Sequence, residues 1–200
     1  MSEDTLRKFV VPEVVQGAGA RHLLSRYVAN SGARRCLLVS DPGVLALPWA
    51  EQMLGRLRTE GVVFSVFADV SPNPKDHEVM AGAERYRQER CNALIAIGGG
   101  SPMDCAKGIG MVVTSGGQIR DYEGVDRVPR PCPPLLFVPS TSGTAADVSQ
   151  FAIITDVARR KKMAIVSKAT VPDVSLTDPE TTETMPRDLT AYTGLDALTH

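Results

Sequence analysis

Residues 96–110 read AIGGGSPMDCAKGIG and place three consecutive glycines directly after an apolar run. Residues 95–97 predict a buried strand, and Gly98, Gly99 and Gly100 predict a turn that carries no side chains. Glycine loses more backbone entropy on folding than any other residue, so a run of three indicates that something must approach the backbone closely.

Ser101, Pro102 and Asp104 predict that a helix starts right after this turn, with the serine as N-cap, the proline in the first turn and the acid at the third position. Backbone N–H groups at a helix N-terminus carry a partial positive charge, so a phosphate can approach them closely. The stretch therefore predicts an anion site, and the alternative is a well-capped turn without a ligand. Neither G-x-G-x-x-G nor G-x-x-x-x-G-K-[ST] is present here.

The first 140 residues alternate short β-rich runs with amphipathic stretches, which is typical of βαβ units around a buried parallel sheet. The predicted strands are 35–40, 62–68, 93–97 and 135–139, and the predicted helices are 20–30, 48–60, 76–90 and 101–114. The expected class is therefore α/β, a Rossmann-like parallel sheet with helices on both faces.

Other β segments surround this pattern. Residues 6–12 predict an edge strand, and residues 172–180 predict one more strand followed by a turn. Residues 151–156 and 162–167 flank a basic turn and predict an antiparallel β-hairpin beside the main sheet.

The last segment, residues 186–200, predicts a helix with Pro186 at its start. No glycine or proline ends the pattern before His200, so we expect the opening of a truncated helical unit. The expected domains are 1–185 and 186–200.

The composition excludes several classes of protein. A formal net charge of −1 with interspersed charges gives no broad basic field, so nucleic acid is not expected as a partner. No apolar run approaches the roughly 20 residues that span a membrane, and the N-terminus lacks a secretory signal, so we expect no membrane partner and a cytoplasmic location. The four cysteines form no C-x-x-C, which disfavours disulfides and thiolate metal sites and predicts small buried side chains.

Three further features lie where a nucleotide would need them. Asp41 follows the strand predicted at 35–40, where a carboxylate binds ribose hydroxyls and disfavours the 2′-phosphate of NADP; the alternative is an Asp-Pro-Gly turn initiator. The run PSTSGTAAD at 139–147 offers hydroxyls after another strand, or is simply a polar loop. Lys162 follows the hairpin turn, and the pattern alone favours a solvated tip.

Asp196 and His200 are four residues apart on the last predicted helix, so both side chains project from one face. A carboxylate and an imidazole suit Fe(II), Zn(II) or Mn(II). The alternative for this spacing is a surface charge pair.

Taken together, four stretches resemble the iron-containing (group III) alcohol dehydrogenase family: GGGSPMDCAKGIG (98–110), PSTSGTAADVSQFAIITD (139–156), KKMAIVSKATVPDVSLTDPETT (161–182) and MPRDLTAYTGLDALTH (185–200). The resemblance implies a dehydroquinate synthase-like fold. It also implies that residues 1–185 are an NAD-binding domain and that residues 186–200 are the first helix of an all-helical metal and substrate domain.

The resemblance also implies a set of cofactor-binding residues, with the glycine turn on the NAD pyrophosphate, Asp104 near the nicotinamide end and Asp41 selecting NAD. The full implied set is Asp41, Asn73, Gly98, Gly99, Gly100, Ser101, Asp104, Thr141, Ser142, Thr144, Phe151 and Lys162. Asp196 and His200 are implied as the first two of four metal ligands, the other two being histidines further along the family's sequence.

The implied function is an NAD-dependent and divalent-metal-dependent alcohol dehydrogenase that moves a hydride between a small alcohol or aldehyde and NAD. Iron is the expected metal, with zinc or manganese as alternatives, and no dedicated side-chain base is needed. With two of the four ligands, the chain is expected to bind nucleotide but to be catalytically poor.

Two other functions stay open. Residues 71–84 and 144–156 also resemble regulatory members of the family that would use the fold as a nucleotide sensor. An unliganded scaffold is the third possibility. Pairing of the edge strand at 6–12 with a second copy would make a homodimer.

Overall fold

The structure is a computed structural model and describes residues 10–200. In chain order the strands and helices are β1 (Glu13–Gln16), α1 (Leu24–Asn30), β2 (Cys36–Val39), α2 (Pro42–Leu45), α3 (Pro48–Thr59), β3 (Phe64–Phe67), α4 (Asp76–Gln88), β4 (Ala93–Gly98), α5 (Gly100–Ser115), β5 (Gly124–Val125), β6 (Leu135–Pro139), β7 (Phe151–Asp156), β8 (Lys161–Val166), β9 (Val174–Thr177) and α6 (Arg187–Thr199). Short 3₁₀ turns cover Ala20–Leu23, Ile119–Tyr122, Lys168–Thr170 and Pro179–Thr181.

Six of the described strands form one parallel sheet in the order β1-β9-β6-β4-β2-β3. The strands β2, β4 and β6 are buried along their whole length because helices cover both faces. Leu37, Leu94 and Phe137 pack on one face with α4 and α5, whereas Leu38, Ile95 and Leu136 pack on the other with α1 and α3. The predicted α/β class with helices on both faces is confirmed.

The direction in which the chain winds reverses between β2 and β4. From β2 the chain moves outward to β3, and from β4 it moves the other way to β6. The helix α3 that follows β2 and the helix α5 that follows β4 consequently lie on opposite faces. Such a reversal opens a crevice at the carboxyl ends of the two strands, which is where open α/β sheets bind ligands.

The predicted hairpin is present as β7 and β8, which pair antiparallel with Phe151 opposite Val166. It forms a separate three-stranded sheet with the short β5, which runs parallel to β8. The next strand, β9, returns to the main sheet and pairs parallel with β1 and β6. The antiparallel pairing therefore ends with the hairpin.

Of two N-terminal predictions, one falls mostly outside the described residues and the other differs from the structure. Most of the edge strand predicted at 6–12 lies outside the described residues, and the edge strand that is described is β1 at Glu13–Gln16. The helix predicted at 20–30 is divided into a 3₁₀ turn and α1, with Gly19 in the left-handed conformation at its start. Of the cysteines, Cys36, Cys91 and Cys105 are buried as predicted, and Cys132 is half-buried.

The helix predicted at 186–200 is present as α6, one residue later than predicted, with Pro186 immediately before it. Among the described residues, none of those in α6 is buried. Leu189, Tyr192, Leu195 and Leu198 are exposed along it. It approaches the rest of the chain at Gly143, where an added Cβ would lie 2.6 Å from Asp196 Oδ2.

Candidate functional site

The glycine turn begins where β4 ends and is held between its two neighbouring strands. Ser40, directly after β2, donates its hydroxyl to the Ile97 carbonyl at 2.8 Å. Ser140, directly after β6, donates its backbone N–H to the Gly98 carbonyl at 2.8 Å. Gly98 has φ +137°, a conformation that residues with a Cβ rarely adopt. The turn is therefore fixed from both sides at the carboxyl edge of the sheet.

The helix α5 starts one residue earlier than predicted, at Gly100, with Gly99 as its N-cap. The assignment of Ser101 as N-cap is wrong, because the hydroxyl of Ser101 instead accepts the Asn73 N–H at 3.2 Å. Within the described chain, no side chain caps this N-terminus. Its first backbone N–H groups therefore remain available to a ligand.

The absence of side chains on the turn allows a second loop to pack against it. An added Cβ on Gly99 would lie 3.2 Å from Thr141 Oγ1, and one on Gly100 would lie 2.7 Å from Thr144 Oγ1. The predicted polar loop at 139–147 thus lies directly over the glycine turn. Both threonine hydroxyls therefore lie beside the turn, close to where glycine side chains would otherwise be.

A cleft of about 680 Å³ opens over this corner. Six of the predicted cofactor residues line it: Asp41, Gly99, Gly100, Ser101, Thr141 and Thr144. Its mouth is not sealed, since Gly99, Gly100 and Ser101 are all partly accessible. The remaining six predicted residues lie outside the lining: Asn73, Gly98, Asp104, Ser142, Phe151 and Lys162.

Asp41 has a structural role in addition to its place in the cleft. It is the N-cap of the four-residue helix α2, and its Oδ1 accepts the Val44 N–H at 2.9 Å. The Asp-Pro-Gly turn that the sequence offered as an alternative is therefore formed. Its second carboxylate oxygen points toward the glycine turn, because an added Cβ on Gly98 would lie 3.5 Å from Oδ2.

The hairpin packs against α5, and its two predicted cofactor residues lie outside the cleft lining. Phe151 is 47% exposed at the start of β7, and Lys162 is exposed on β8 opposite Thr155. Thr155 contacts the loop after β3, since its hydroxyl donates to the Asn73 carbonyl at 3.4 Å and its N–H to the Pro74 carbonyl at 2.8 Å. Asn73 itself is left-handed, with φ +56°.

Asp104 is largely buried between α5 and the hairpin, and its Oδ2 accepts the Ile153 N–H at 3.1 Å. Burial raises the pKa of its carboxyl to about 6, against the opposing effects of Lys107 and of the Ile153 amide. Asp104 remains mostly ionised at neutral pH.

Asp196 and His200 come together on the last turns of α6, with His200 Nε2 3.6 Å from Asp196 Oδ1. That separation is compatible with one ion bound at about 2.1 Å from both atoms. Within residues 10–200, no cluster of three or more histidine, cysteine or acidic side chains could hold a metal. The two residues therefore fit part of a metal site.

The sequence matches the profile of iron-containing alcohol dehydrogenases over residues 12–179. This chain belongs to that family. It is 41% identical over 184 residues to alcohol dehydrogenase 4 of Schizosaccharomyces pombe, across 92% of this chain and 44% of the relative. It is 37% identical over 192 residues to the NAD-dependent methanol dehydrogenase of Bacillus methanolicus, across 96% of this chain and 50% of the relative.

The solved structure of a 1,3-propanediol oxidoreductase superposes on this iron-containing alcohol dehydrogenase family member with a TM-score of 0.94, at 36% identity over 98% of this chain and 51% of that one. The chain spans about half the length of the relatives it matches. Among the helices of residues 10–200, none has the length and apolar character needed to cross a membrane.

Sequence reasoning missed much of the cleft wall in this family member. The additional lining residues include Val44, Leu47, Val70, Ser71, Thr181, Thr184, Met185, Leu189 and Thr193. They come from four separate segments without a shared motif, so no local pattern indicated them.

Lys107 was also missed, although it is fully buried in α5. Its signal was available in the sequence, because it is the one charged residue between Cys105 and Ser115 in an otherwise apolar and glycine-rich helix. A lysine in such a setting predicts a buried and partnered ammonium group.

Proposed function

We propose that this chain is the nucleotide-binding part of an NAD-dependent and divalent-metal-dependent alcohol dehydrogenase, acting between a small alcohol or aldehyde and NAD. The observation that supports this most directly is the uncapped N-terminus of α5, which opens into a cleft at the strand-order reversal. A diphosphate fits there because backbone N–H groups and a helix dipole stabilise negative charge.

The other cleft residues have roles consistent with this proposal. Thr141 and Thr144 supply hydroxyls over the same corner, and the second carboxylate oxygen of Asp41 would accept ribose hydroxyls. A carboxylate at the end of β2 also repels a 2′-phosphate, so NAD is preferred over NADP. The apolar Val44, Leu47 and Met185 provide walls for a flat ring.

Asp196 and His200 would hold the divalent ion, together with ligands from outside this chain. When bound, NAD supplies the hydride acceptor and the ion supplies Lewis acidity toward an alcohol oxygen. A carboxylate and a neutral imidazole suit iron, zinc or manganese equally. With two ligands, the isolated chain is expected to bind nucleotide well and metal weakly.

Calorimetric titration of NAD into the chain tests the nucleotide site. We expect saturable binding, and its loss in Gly99→Asp, because a new side chain would meet Thr141 and place a negative charge where the diphosphate lies. Gly55→Asp is the matched control, since no heavy atom of the described chain lies within 4 Å of a Cβ added there. Absence of heat at millimolar NAD would refute the proposal.

The metal-dependent step is tested in a longer protein that continues past His200. We expect it to reduce NAD with a primary alcohol and to lose that activity in the presence of a chelator. Alcohol-dependent turnover that survives complete metal removal contradicts the proposed chemistry.

A further inference from the structure

The Lys107 side chain is completely buried, yet it ends at the backbone of the hairpin and not at the cleft. Its Nζ donates to the Ser149 carbonyl at 2.8 Å and to the Phe151 carbonyl at 2.7 Å, and it lies 3.4 Å from the Ser149 hydroxyl. Taking a lysine wholly out of water is costly unless its ammonium is well partnered. These two carbonyls provide that partnership.

The contacted groups all lie on one edge of β7. The Ser167 N–H donates to the Gln150 carbonyl, and Ala152 lies opposite Ile165. The backbone N–H and carbonyl groups of the even-numbered residues of β7 therefore point toward β8. The backbone groups of residues 149, 151, 153 and 155 therefore face away from β8, along the free edge of the small sheet.

On that free edge, side chains and a loop replace a neighbouring strand. Lys107 donates to the carbonyls of Ser149 and Phe151, and the Asp104 carboxylate accepts the Ile153 N–H. The Pro74 carbonyl accepts a hydrogen bond from the N–H of Thr155. Two of these three attachments come from α5, the helix whose first turn forms the candidate phosphate site.

The surroundings of Lys107 influence its charge in two opposite directions. Burial lowers the pKa of the Lys107 ammonium to about 8, while the carboxylates of Asp104 and Asp147 oppose that shift. At neutral pH the ammonium stays mostly charged, and charged donors form stronger hydrogen bonds than neutral ones.

We propose that Lys107 is a positioning residue, which holds the free edge of β7, and with it Phe151 and Lys162, at a set place relative to the glycine turn. The same edge binds Asp104 through Ile153, and the resemblance implies that Asp104 lies near the nicotinamide end, so the hairpin would serve the nicotinamide half of the cofactor. This inference rests on the proposed NAD site. It requires no contact between Lys107 and the cofactor, and Lys107 is not part of the cleft lining in the described chain.

The test uses Lys107→Met, which keeps an unbranched apolar side chain of similar length but removes every donor. The matched control is Lys168→Met, the same change at an exposed lysine. Each protein is titrated with NADH and with ADP-ribose, which lacks the nicotinamide. Amide hydrogen exchange of Ile153 and Thr155 is measured without ligand.

We expect Lys107→Met to weaken NADH binding about tenfold, which is the size of about one hydrogen-bonded contact between the displaced hairpin and the nicotinamide half. ADP-ribose binding should weaken less than twofold. Exchange at Ile153 and Thr155 should become faster, because the strand edge loses its attachment. Lys168→Met should leave both affinities and both exchange rates unchanged. If Lys107→Met does not fold, Lys107→Gln replaces it, because its shorter amide cannot span both carbonyls and the same pattern is expected.

Equal weakening of NADH and ADP-ribose would overturn the inference, because it indicates general damage and not displacement of the hairpin. Unchanged NADH affinity in a folded variant would also overturn it. If the unmodified chain binds neither ligand, the proposed NAD site itself fails. In that case the exchange rates decide the positioning role, and unchanged rates at Ile153 and Thr155 reject it.

Discussion

Gly100→Ala tests the close packing between the glycine turn and the loop above it. The added methyl group would lie 2.7 Å from Thr144 Oγ1, 2.9 Å from its Cγ2 and 3.1 Å from its Cβ. Ordinary contacts between such atoms are about 3.5–4.0 Å. Rotating the threonine exchanges one close atom for another, and its Cβ stays too near, so the loop backbone must move.

The expected size of the effect follows from two opposing contributions. Overpacking of this kind destabilises by about 1–3 kcal/mol, and the exposed position of Thr144 favours the lower half of that range. Replacing glycine by alanine restricts the unfolded chain and stabilises by about 0.4–1 kcal/mol. The net result is a decrease of about 1 kcal/mol in the free energy of unfolding, or about 2–4 °C in Tm.

Chemical denaturation measures this change against two comparison proteins. Gly55→Ala, in the middle of α3, has no heavy atom of the described chain within 4 Å of its new methyl group and should stabilise by about 1 kcal/mol. In a Thr144→Ala background, Gly100→Ala should lose most of its cost, because two of the three close atoms are gone. Additive effects of the two substitutions would refute the contact.

Four further predictions concern other parts of the chain. Arg21→Met should cost about 3–5 kcal/mol in denaturation experiments, because Arg21 Nη1 lies 2.6 Å from the buried Asp178 carboxylate. Burial disfavours the charged form of Asp178, but hydrogen bonds from Arg21 and backbone amides outweigh burial and lower the pKa of Asp178. The stabilisation that Asp178 provides is therefore complete above the ordinary pKa of 3.8 and is lost as pH falls through the lower pKa of the folded state. Unfolding free energies measured over a pH series, with Asp178→Asn as the comparison, check this. Asp41→Ser should change the free energy of unfolding by no more than about 0.5 kcal/mol, because serine also caps α2. The same variant should bind NADP more tightly in calorimetric titrations run in parallel with NAD. An unchanged preference for NAD argues against a role of Asp41 in selecting the cofactor. Zn²⁺ should bind weakly and be lost equally in Asp196→Ala and His200→Ala, and retention by either variant would show that the two do not share an ion.

Much of the fold was predictable because its signals are local. Continuous apolar runs such as Leu135–Pro139 indicate strands buried on both faces, and they are found within a residue or two of the predicted limits. The start of α5 was less well predicted, since Ser101 has the residue type of an N-cap but hydrogen-bonds to Asn73 from a loop 28 residues away. A local pattern cannot show such a competing partner.

In the candidate site, too, the features with local signals were predicted and the contacts between distant segments were not. The glycine turn and the polar loop were each identified from sequence, because a turn without side chains and a run of hydroxyls are visible locally. The sequence did not show that Thr144 contacts Gly100, that Asp41 caps a helix, or that Met185 and Leu189 complete the cleft wall. Those contacts depend on strand order, which brings distant segments to one edge of the sheet.

The amino-acid sequence by itself determined the α/β class and a glycine turn at the start of a helix, because both follow from spacing along the chain. The family followed from the resemblance of four longer stretches, and the structure showed that the helix N-terminus is uncapped. Only the tertiary structure decided that Lys107 serves the hairpin backbone and that the cleft lies between β2 and β4. The physical reason is that the burial and hydrogen bonding of a side chain depend on its neighbours in space. The hydrogen-bond partners of Lys107 lie more than forty residues further along the chain.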